Sequence, residues 1–202
     1  MNEPEAPTIR ERSRRAMRDE LTMVAQDLFL DRGFDQVTVD QIAEVAGVSK
    51  RTLFRYFASK EDIVVGSYER YGDRLAAGLD QRPATEPVWD SLWAIFTLMA
   101  SQEAAVQDRT RGRALEQIVH STPQLTARFL EKIQMQQQAL VGPVRSRLAA
   151  QGVASADPRA AAIVGAAFAC LYAARSSWLV SDPAEHFREH LDRAMASVTS
   201  VG

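Results

Sequence analysis

Residues 38–60 have the sequence TVDQIAEVAGVSKRTLFRYFASK, and this pattern predicts two short helices joined by a tight turn. Thr38 and Gln41 have the spacing of a reciprocal capping box, which marks the start of a helix. Gly47 follows the last apolar position of that helix, where the chain needs a left-handed backbone that glycine adopts without penalty. Ser49 is then placed to cap a second helix. The stretch is therefore predicted to be a helix-turn-helix motif.

The second helix, predicted over residues 49–57, has an apolar face and a basic face. Leu53 and Phe57 are four residues apart and share the apolar face. The residues of the other face are Arg51, Thr52 and Arg55, preceded by Lys50. The helix carries no Asp or Glu, so it suits a polyanion, although an ordinary hairpin with a solvated basic face is the alternative. Two caps, a turn glycine and a basic second helix together favour a motif that reads DNA.

Short matches around this motif extend from residue 33 to residue 62. They are Gly33-Phe34, Val37-Thr38-Val39, Ile42-Ala43, Ala46-Gly47-Val48-Ser49, Leu53-Phe54, Tyr56-Phe57 and Ser59-Lys60-Glu61-Asp62. In these residues the first third of the chain resembles the DNA-binding domain of the tetracycline-repressor (TetR) family. The resemblance implies an all-α, homodimeric bacterial transcription factor, usually a repressor. It also implies a C-terminal domain that dimerises and binds a small-molecule inducer.

The resemblance implies roles for individual residues of the motif. Those expected to approach base edges or the adjoining backbone are Lys50, Arg51, Thr52 and Arg55. Those expected to contact phosphates are Thr38, Phe54, Tyr56 and Lys60. Phe54 departs from the family pattern, which often has tyrosine at this position. It lacks a hydroxyl for a phosphate, but its ring can press on a thymine methyl in the major groove.

The composition of the whole chain indicates a soluble globular protein. With 202 residues, 46% of them hydrophobic, the chain can bury one large core or two small ones. Its apolar runs are interrupted before membrane-spanning length, and its N-terminus has charged residues rather than a signal sequence. We therefore expect a cytoplasmic protein without membrane contact. The net charge of −2 does not argue against DNA binding, because the local distribution of charge matters more than the total.

The chain divides into four predicted segments. Residues 1–12 are expected to form a flexible basic arm, residues 13–58 the helix-turn-helix domain, residues 59–80 a bridging helix, and residues 81–202 a C-terminal ligand-binding and dimerisation domain. Arginines cluster near the N-terminus at Arg10, Arg12, Arg14, Arg15 and Arg18. Such an arm suits the DNA backbone, and a solvated tail is the alternative.

Helix boundaries are predicted from caps, prolines and apolar periodicity. The first helix spans about residues 13–32 and ends at Gly33, and a capping box of Ser59 with Asp62 begins the bridging helix. Later helices are predicted over residues 88–101, 104–120, 122–151, 158–179 and 183–198, with Gly142-Pro143 kinking or splitting the third. No alternating strand pattern appears. The predicted fold class is all-α, with a three-helix DNA-binding domain followed by a helical C-terminal domain.

The last two predicted helices carry apolar faces that suit a homodimer. The second of these helices has Phe187, Leu191 and Met195 at helical spacing. Two such faces from each subunit would form a four-helix bundle across a two-fold axis. The alternative is that these faces only complete the monomer core. The dimer is favoured because it places two reading heads on a palindromic site.

Two features outside the motif suggest chemistry, and both are interpreted as structural. His186-Phe187-Arg188-Glu189-His190 matches the zinc-protease pattern H-x-x-E-H. A zinc site needs a third protein ligand, and none has a recognisable spacing, so the histidines are interpreted as solvated or interfacial. Cys170 lies in an apolar run and is expected to be a buried small side chain. No metal, cofactor or catalytic residue is predicted.

A ligand cavity is predicted between helices of the C-terminal domain. Its candidate lining residues are Trp89, Trp93, Phe96, Met99, Phe129, Ile133, Phe168, Tyr172, Arg175 and also Trp178. Such residues more often form a packed core, and lysines and arginines on helices are more often solvated. If they point inward, Arg111, Arg113 and Arg175 are candidate anchors for an anion. The segment Ser121–Leu125 with the following Gln-rich helix resembles the C-terminal domain of regulators proposed to sense acyl-coenzyme A-like ligands.

The sequence therefore predicts a ligand-responsive transcriptional regulator rather than an enzyme. Its expected partners are a double-stranded DNA operator, a second copy of the chain and a small-molecule effector. The expected activity is repression, released from a palindromic operator by a small hydrophobic or acyl-CoA-like inducer. The alternative function is a helical enzyme or small-molecule carrier with a vestigial helix-turn-helix.

Overall fold

A computed structural model of the protein describes residues 8–66, 69–106 and 109–199. All regular structure in these residues is helical, which confirms the predicted all-α class. The helices are α1 (Ile9–Arg32), α2 (Val39–Val45), α3 (Lys50–Phe54), α4 (Lys60–Val65), α5 (Glu69–Asp80), α6 (Val88–Val106), α7 (Arg109–Ser121), α8 (Pro123–Ala150), α9 (Arg159–Val180) and α10 (Phe187–Thr199).

The described residues form two compact units. The N-terminal unit contains residues 8–66 together with Ile118–Arg128, and the C-terminal unit contains the remaining residues. The segment Ile118–Arg128 lies within the stretch that the sequence pattern places in the C-terminal domain. Helix α8 therefore contributes its first turns to one unit and the rest of its length to the other.

Helix α1 begins at Ile9, four residues before the predicted start. Thr8 forms a reciprocal capping box with Glu11, in which the Thr8 amide donates to Glu11 Oε2 (2.8 Å) and the Glu11 amide donates to Thr8 Oγ1 (3.2 Å). The bond from the Thr8 amide lowers the pKa of Glu11. Residues 9–12, predicted as a flexible arm, are therefore helical, and the remainder of that arm, residues 1–7, lies outside the described residues.

The core of the N-terminal unit is formed where α1 packs against α2 and α4. The rings of Phe29 and Phe34 lie 5.2 Å apart and close the end of α1. The other fully buried side chains of this core include Leu21, Ala25, Ile42, Leu53 and Ile63. Burial of these apolar groups holds short helices that would be marginal alone in water.

An ion pair fixes the segment Ile118–Arg128 to helix α4 within the N-terminal unit. Ser59 Oγ caps α4 by accepting from the Asp62 amide at 3.1 Å, as the capping pattern predicts. The Asp62 carboxylate accepts from Arg128 Nε (2.8 Å) and Nη2 (3.1 Å). Asp62 is only 3% exposed, so this bidentate pair compensates a buried charge.

The predicted bridging helix over residues 59–80 appears as two helices among the described residues, α4 (Lys60–Val65) and α5 (Glu69–Asp80). Gly66 caps the first of them. Residues 67–68 lie outside the described part of the chain.

The core of the C-terminal unit joins α6, α8, α9 and α10. Helices α9 and α10 share the most extensive packing, and α6 contacts both. The rings of Phe96 and Phe168 meet edge to face at 5.4 Å, and Leu191 and Met195 of α10 are fully buried. Cys170 is buried as predicted, and burial raises the pKa of its thiol.

Several helix boundaries in the C-terminal region differ from the prediction. Helix α10 begins at Phe187 rather than Pro183, because Asp182 Oδ1 accepts from the Ala184 amide (2.8 Å) and forms a turn instead of a helix cap. Helix α6 continues to Val106, beyond the expected break near residue 102. Helix α8 is not split at Gly142-Pro143, since it is continuous through Pro143.

The connection between α5 and α6 is ordered by side-chain bonds rather than by its two prolines alone. Arg82 and Ser91 both donate to the Glu86 carboxylate, and Arg147 donates to the carbonyl groups of Leu79, Arg82 and Pro83. The bond from Arg82, with that from Ser91, lowers the pKa of Glu86 to about 2. A depressed folded-state pKa means that this contribution to stability is present above the ordinary carboxyl pKa and is lost as the pH falls toward 2.

Helix α9 has the length and apolar composition of a membrane-spanning helix, contrary to the expectation that apolar runs stop short of that length. It is 22 residues long, and 33% of its most apolar window is buried. The core helix of a soluble protein passes the same test. Because α9 packs extensively on α10, its composition fits a core helix with one uncovered face.

Replacing Arg128 by methionine is expected to lower the free energy of unfolding by about 3 kcal/mol, because it leaves Asp62 as an uncompensated buried charge. Chemical denaturation followed by circular dichroism measures this loss. The double variant Asp62→Asn, Arg128→Met should recover part of it. Arg145→Met, at an exposed position of the same helix, is the matched control, and equal stability of the two single variants would contradict the assignment.

Candidate functional site

The predicted helix-turn-helix is formed by α2, α3 and the turn between them. Thr38 Oγ1 accepts from the Gln41 amide (3.2 Å), and Gln41 Oε1 accepts from the Thr38 amide (2.8 Å). Gly47 has φ of 66°, in the region that favours glycine. Ser49 Oγ then caps α3 by accepting from the Thr52 amide at 3.1 Å. The caps and the turn agree with the sequence pattern.

Helix α3 is shorter than predicted, since it ends at Phe54 instead of extending to Phe57. Arg55 is its C-cap, and the Tyr56 amide donates to the Leu53 carbonyl across a turn. Leu53 and Phe57 are buried, as the apolar face predicts. The exposed surface of the motif therefore carries Arg51, Phe54 and Arg55, with Phe54 46% exposed.

The four candidate base-reading residues differ in how far their side chains are already engaged. Lys50 Nζ forms a 2.9 Å ion pair with Asp40, and Thr52 Oγ1 lies 2.8 Å from Ser49 Oγ within the helix cap. The guanidinium of Arg55 lies 5.5 Å from the centre of the Tyr56 ring. In the described parts of the chain, Arg51 makes no ion pair or side-chain hydrogen bond. Arg51 is thus the cation of the motif with the fewest intramolecular contacts.

Lys60, a candidate phosphate contact, also has a structural role that the sequence pattern did not predict. Its ammonium group donates to the carbonyl groups of Phe34 (2.9 Å) and Val37 (3.0 Å). It also lies 4.0 Å from the centre of the Phe34 ring. These contacts join the start of α4 to the loop before α2, over which Thr38 begins its cap. At most one of the three ammonium protons is left for a phosphate.

The C-terminal unit contains a cavity of about 580 Å³, counting the space at its mouth. Its lining residues are Leu75, Phe96, Met99, Ala100, Phe129, Ile133, Gln136, Phe168, Leu171, Tyr172, Arg175 and Phe187. Seven of the nine principal candidates are among them. Trp89 and Trp93 are not, and Trp93 instead donates its indole N–H to Asp192 Oδ1 at 2.7 Å. Helical periodicity selects the buried face of α6 but does not show which of its turns border the cavity.

The polar wall of the cavity is formed by Arg175 and its partner. Arg175 is 9% exposed, and its Nη1 lies 3.2 Å from Glu116 Oε1. The guanidinium carbon lies 5.4 Å from the centre of the Phe129 ring and 5.8 Å from that of Phe187. Gln136, also buried, was missed in the sequence analysis, although it shares a face of α8 with Phe129 and Ile133 at helical spacing.

The other candidate anchors do not line the cavity. Arg113 donates to the carbonyl groups of Leu179, Ser181 and Asp182 and therefore caps the C-terminal end of α9. Its guanidinium also lies 5.3 Å from the Trp178 ring, which explains why Trp178 is absent from the lining. Arg111 is also outside the lining residues.

The H-x-x-E-H residues do not form the expected solvated pair. His190 is 4% exposed, with Nδ1 3.0 Å from Ser177 Oγ and Nε2 2.9 Å from Glu185 Oε2. His186 is exposed. Across the described ranges, no group of three or more His, Cys, Asp or Glu is arranged to hold a metal ion. His190 thus joins α9, α10 and the loop between them.

Comparison with known proteins identifies the family. Residues 21–65 match the family described as bacterial regulatory proteins, tetR family. The chain is 34% identical over 133 residues to the HTH-type transcriptional regulator TcmR of Streptomyces glaucescens, covering 64% of this chain and 59% of TcmR. It is 28% identical over 122 residues to the HTH-type transcriptional repressor KstR2 of Rhodococcus jostii (strain RHA1), covering 56% of this chain and 60% of KstR2. The matches thus span about three fifths of the length of these relatives.

A solved structure shares the fold over nearly the whole chain. FadR of Thermus thermophilus, a TetR-family transcriptional repressor in complex with lauroyl-CoA, superposes with a TM-score of 0.60 at 19% identity and covers 90% of this chain and 93% of FadR. Together with the match of residues 21–65, this places the chain in the tetR family.

Replacing Lys60 by methionine is expected to lower the free energy of unfolding by about 1–3 kcal/mol, because two carbonyl groups lose a charged donor. Arg51→Ala is the matched control and should change stability by no more than about 0.5 kcal/mol, because Arg51 is exposed. Urea denaturation of both variants measures the difference. Equal stability of the Lys60 variant and the wild type would show that the observed bonds do not support the fold.

Proposed function

We propose that this tetR-family protein is a ligand-responsive, sequence-specific DNA-binding regulator that acts as a repressor. The observation that carries the proposal is the exposed, acid-free surface of α3 on a capped helix-turn-helix. A basic helix of this kind enters the major groove and reads base edges with a few side chains. The named relatives, one a transcriptional regulator and one a transcriptional repressor, support the same conclusion.

The proposed DNA contacts divide between base edges and backbone. Arg51 and Arg55 are exposed and reach base edges, while Lys50 and Thr52 do so after exchanging their present partners for DNA groups. Those proposed to contact the backbone are Thr38, Phe54, Tyr56 and Lys60. Phosphate contacts set the position of a protein on DNA, and base contacts supply its specificity.

A homodimer is proposed to form through α9 and α10. Helix α9 exposes Ala162, Ala169, Ala173 and Val180, and Val180 is 86% exposed. Small side chains let two helices approach closely, and an uncovered apolar face favours association. The corresponding helices of two subunits would form a four-helix bundle across a two-fold axis. The dimer presents two copies of α3 to the halves of a palindromic operator in a cytoplasmic protein.

The cavity of the C-terminal unit is proposed to bind a small hydrophobic or acyl-CoA-like inducer. Its lining is almost entirely aliphatic and aromatic, as in most small-molecule sites. The FadR structure of similar fold contains lauroyl-CoA. An inducer releases DNA only if it binds more tightly to the state of the dimer that fits the operator poorly.

Arg51→Ala is expected to weaken binding to the operator by about 1–3 kcal/mol and to relax base preference at one position of each half-site. Fluorescence anisotropy with DNA from the region upstream of the chain's own gene measures this effect. Binding of the wild type should weaken steeply with salt, because phosphate contacts release counterions. Arg145→Ala, on α8, is the control. Absence of binding to any genomic fragment at low salt would refute the regulator and leave the enzyme or carrier alternative.

Ala169→Arg is expected to convert the dimer to a monomer, because it places a charge in the small-residue face of α9. Size-exclusion chromatography with light scattering measures the mass, and operator affinity should fall with it. Ala149→Arg, at an exposed position of α8, is the matched control. A dimer that survives the Ala169 substitution would place the interface elsewhere. Deletion of the gene should raise transcription from the bound promoter, and lowered transcription would identify an activator.

A further inference from the structure

We propose that the cavity selects a ligand whose polar group beside Arg175 is uncharged, such as a ketone, alcohol, ester or thioester, and discriminates against a free carboxylate. This inference rests on the proposed inducer site and specifies the chemistry of its ligand. It follows from the charge balance at the cavity wall and from the position of Glu116 relative to Arg175.

The charge at the cavity wall is already neutralised by the protein. Arg175 is the only lining residue that carries a charge at neutral pH. Its Nη1 lies 3.2 Å from Glu116 Oε1, and the two side chains are 10% and 17% exposed. A ligand that enters the cavity therefore meets an ion pair rather than an isolated cation.

The pair is oriented so that the cation faces the ligand. Arg175 lines the cavity, whereas Glu116 is not among its lining residues. The guanidinium also lies close to the rings of Phe129 and Phe187, which line the cavity as well. Packing against two rings restricts the guanidinium, so its remaining N–H donors are held at the wall.

This arrangement distinguishes a neutral acceptor from an anion. A ketone or ester oxygen accepts one hydrogen bond from Arg175 and leaves the Glu116 pair intact. A carboxylate in the same place gives two negative groups to one buried guanidinium, so the cavity gains a net negative charge in apolar surroundings. The carboxylate must then be protonated or lose affinity. The apolar remainder of the ligand fills the space between the aromatic side chains in both cases.

The test compares 2-acetylnaphthalene with 2-naphthoate, which share an aromatic body and differ in the charge of the side group. Isothermal titration calorimetry with the full-length wild type should give at least about tenfold tighter binding of the ketone. Naphthoate binding should strengthen as the pH falls toward the range in which a carboxyl group protonates, whereas ketone binding should not. Tighter binding of naphthoate at neutral pH, or binding of neither compound, would overturn the proposal.

Glu116→Gln provides the decisive variant, because it keeps the side-chain shape and leaves the Arg175 cation uncompensated. The preference should then shift toward naphthoate by about tenfold or more. Glu189→Gln, at an exposed position of α10, is the matched control and should leave the preference unchanged. An unchanged preference in the Glu116 variant would also refute the assignment. If that variant does not fold, the pH dependence of the wild type decides the question.

Operator binding, measured on the same wild-type preparation, separates this inference from the proposed function. Intact operator binding without binding of either naphthalene compound removes the ligand assignment and leaves the regulator. Ketone-selective binding without any DNA binding removes the regulator and leaves a neutral-ligand cavity.

Discussion

The DNA-facing surface depends on a constraint of helix physics, since α2 and α3 have seven and five residues. Helices of this length do not persist alone in water, because nucleation costs more than so few hydrogen bonds return. Here each begins with a side-chain cap, and the turn between them uses a glycine at positive φ. Burial of Leu53 and Phe57 then fixes α3 on the domain core. The exposed cations are positioned only because these local and core interactions act together.

Two buried ion pairs add specificity to units that are otherwise held by apolar packing. In the N-terminal unit, Asp62 and Arg128 join α4 to the segment Ile118–Arg128. In the C-terminal unit, Glu116 and Arg175 form the polar wall of the cavity. Buried pairs contribute little net stability compared with apolar side chains, but a pair that loses one member is costly. Each pair therefore favours one arrangement of its helices over alternatives.

Helix α8 contains residues with both kinds of role along its length. Arg128 bonds to α4, and Phe129, Ile133 and Gln136 line the cavity. Because the helix is continuous through these positions, it is the described element that carries both an ion pair of the N-terminal unit and a wall of the ligand cavity. This continuity makes α8 a candidate route for coupling between ligand and DNA in the proposed regulator.

The local elements of this protein could be predicted from the sequence because their determinants are close neighbours in the chain. Thr38 with Gln41, Gly47 and Ser49 fix the helix-turn-helix through contacts within a few residues, and apolar spacing identifies Leu53 and Phe57 as buried. The prediction was wrong where two local patterns compete: Asp182-Pro183 resembles a helix start but forms a turn, and Thr8 with Glu11 caps a helix where an arm was expected.

Only the tertiary structure decided which distant groups meet. The bonds from Lys60 to the Phe34 and Val37 carbonyls, the pairing of Asp62 with Arg128, and that of Glu116 with Arg175 all join residues far apart in sequence. Periodicity shows that a side chain faces inward, but not which neighbour it meets or whether space remains beside it. For that reason the sequence determined the all-α class and the DNA-reading motif, while packing decided the cavity and the charge balance at its wall.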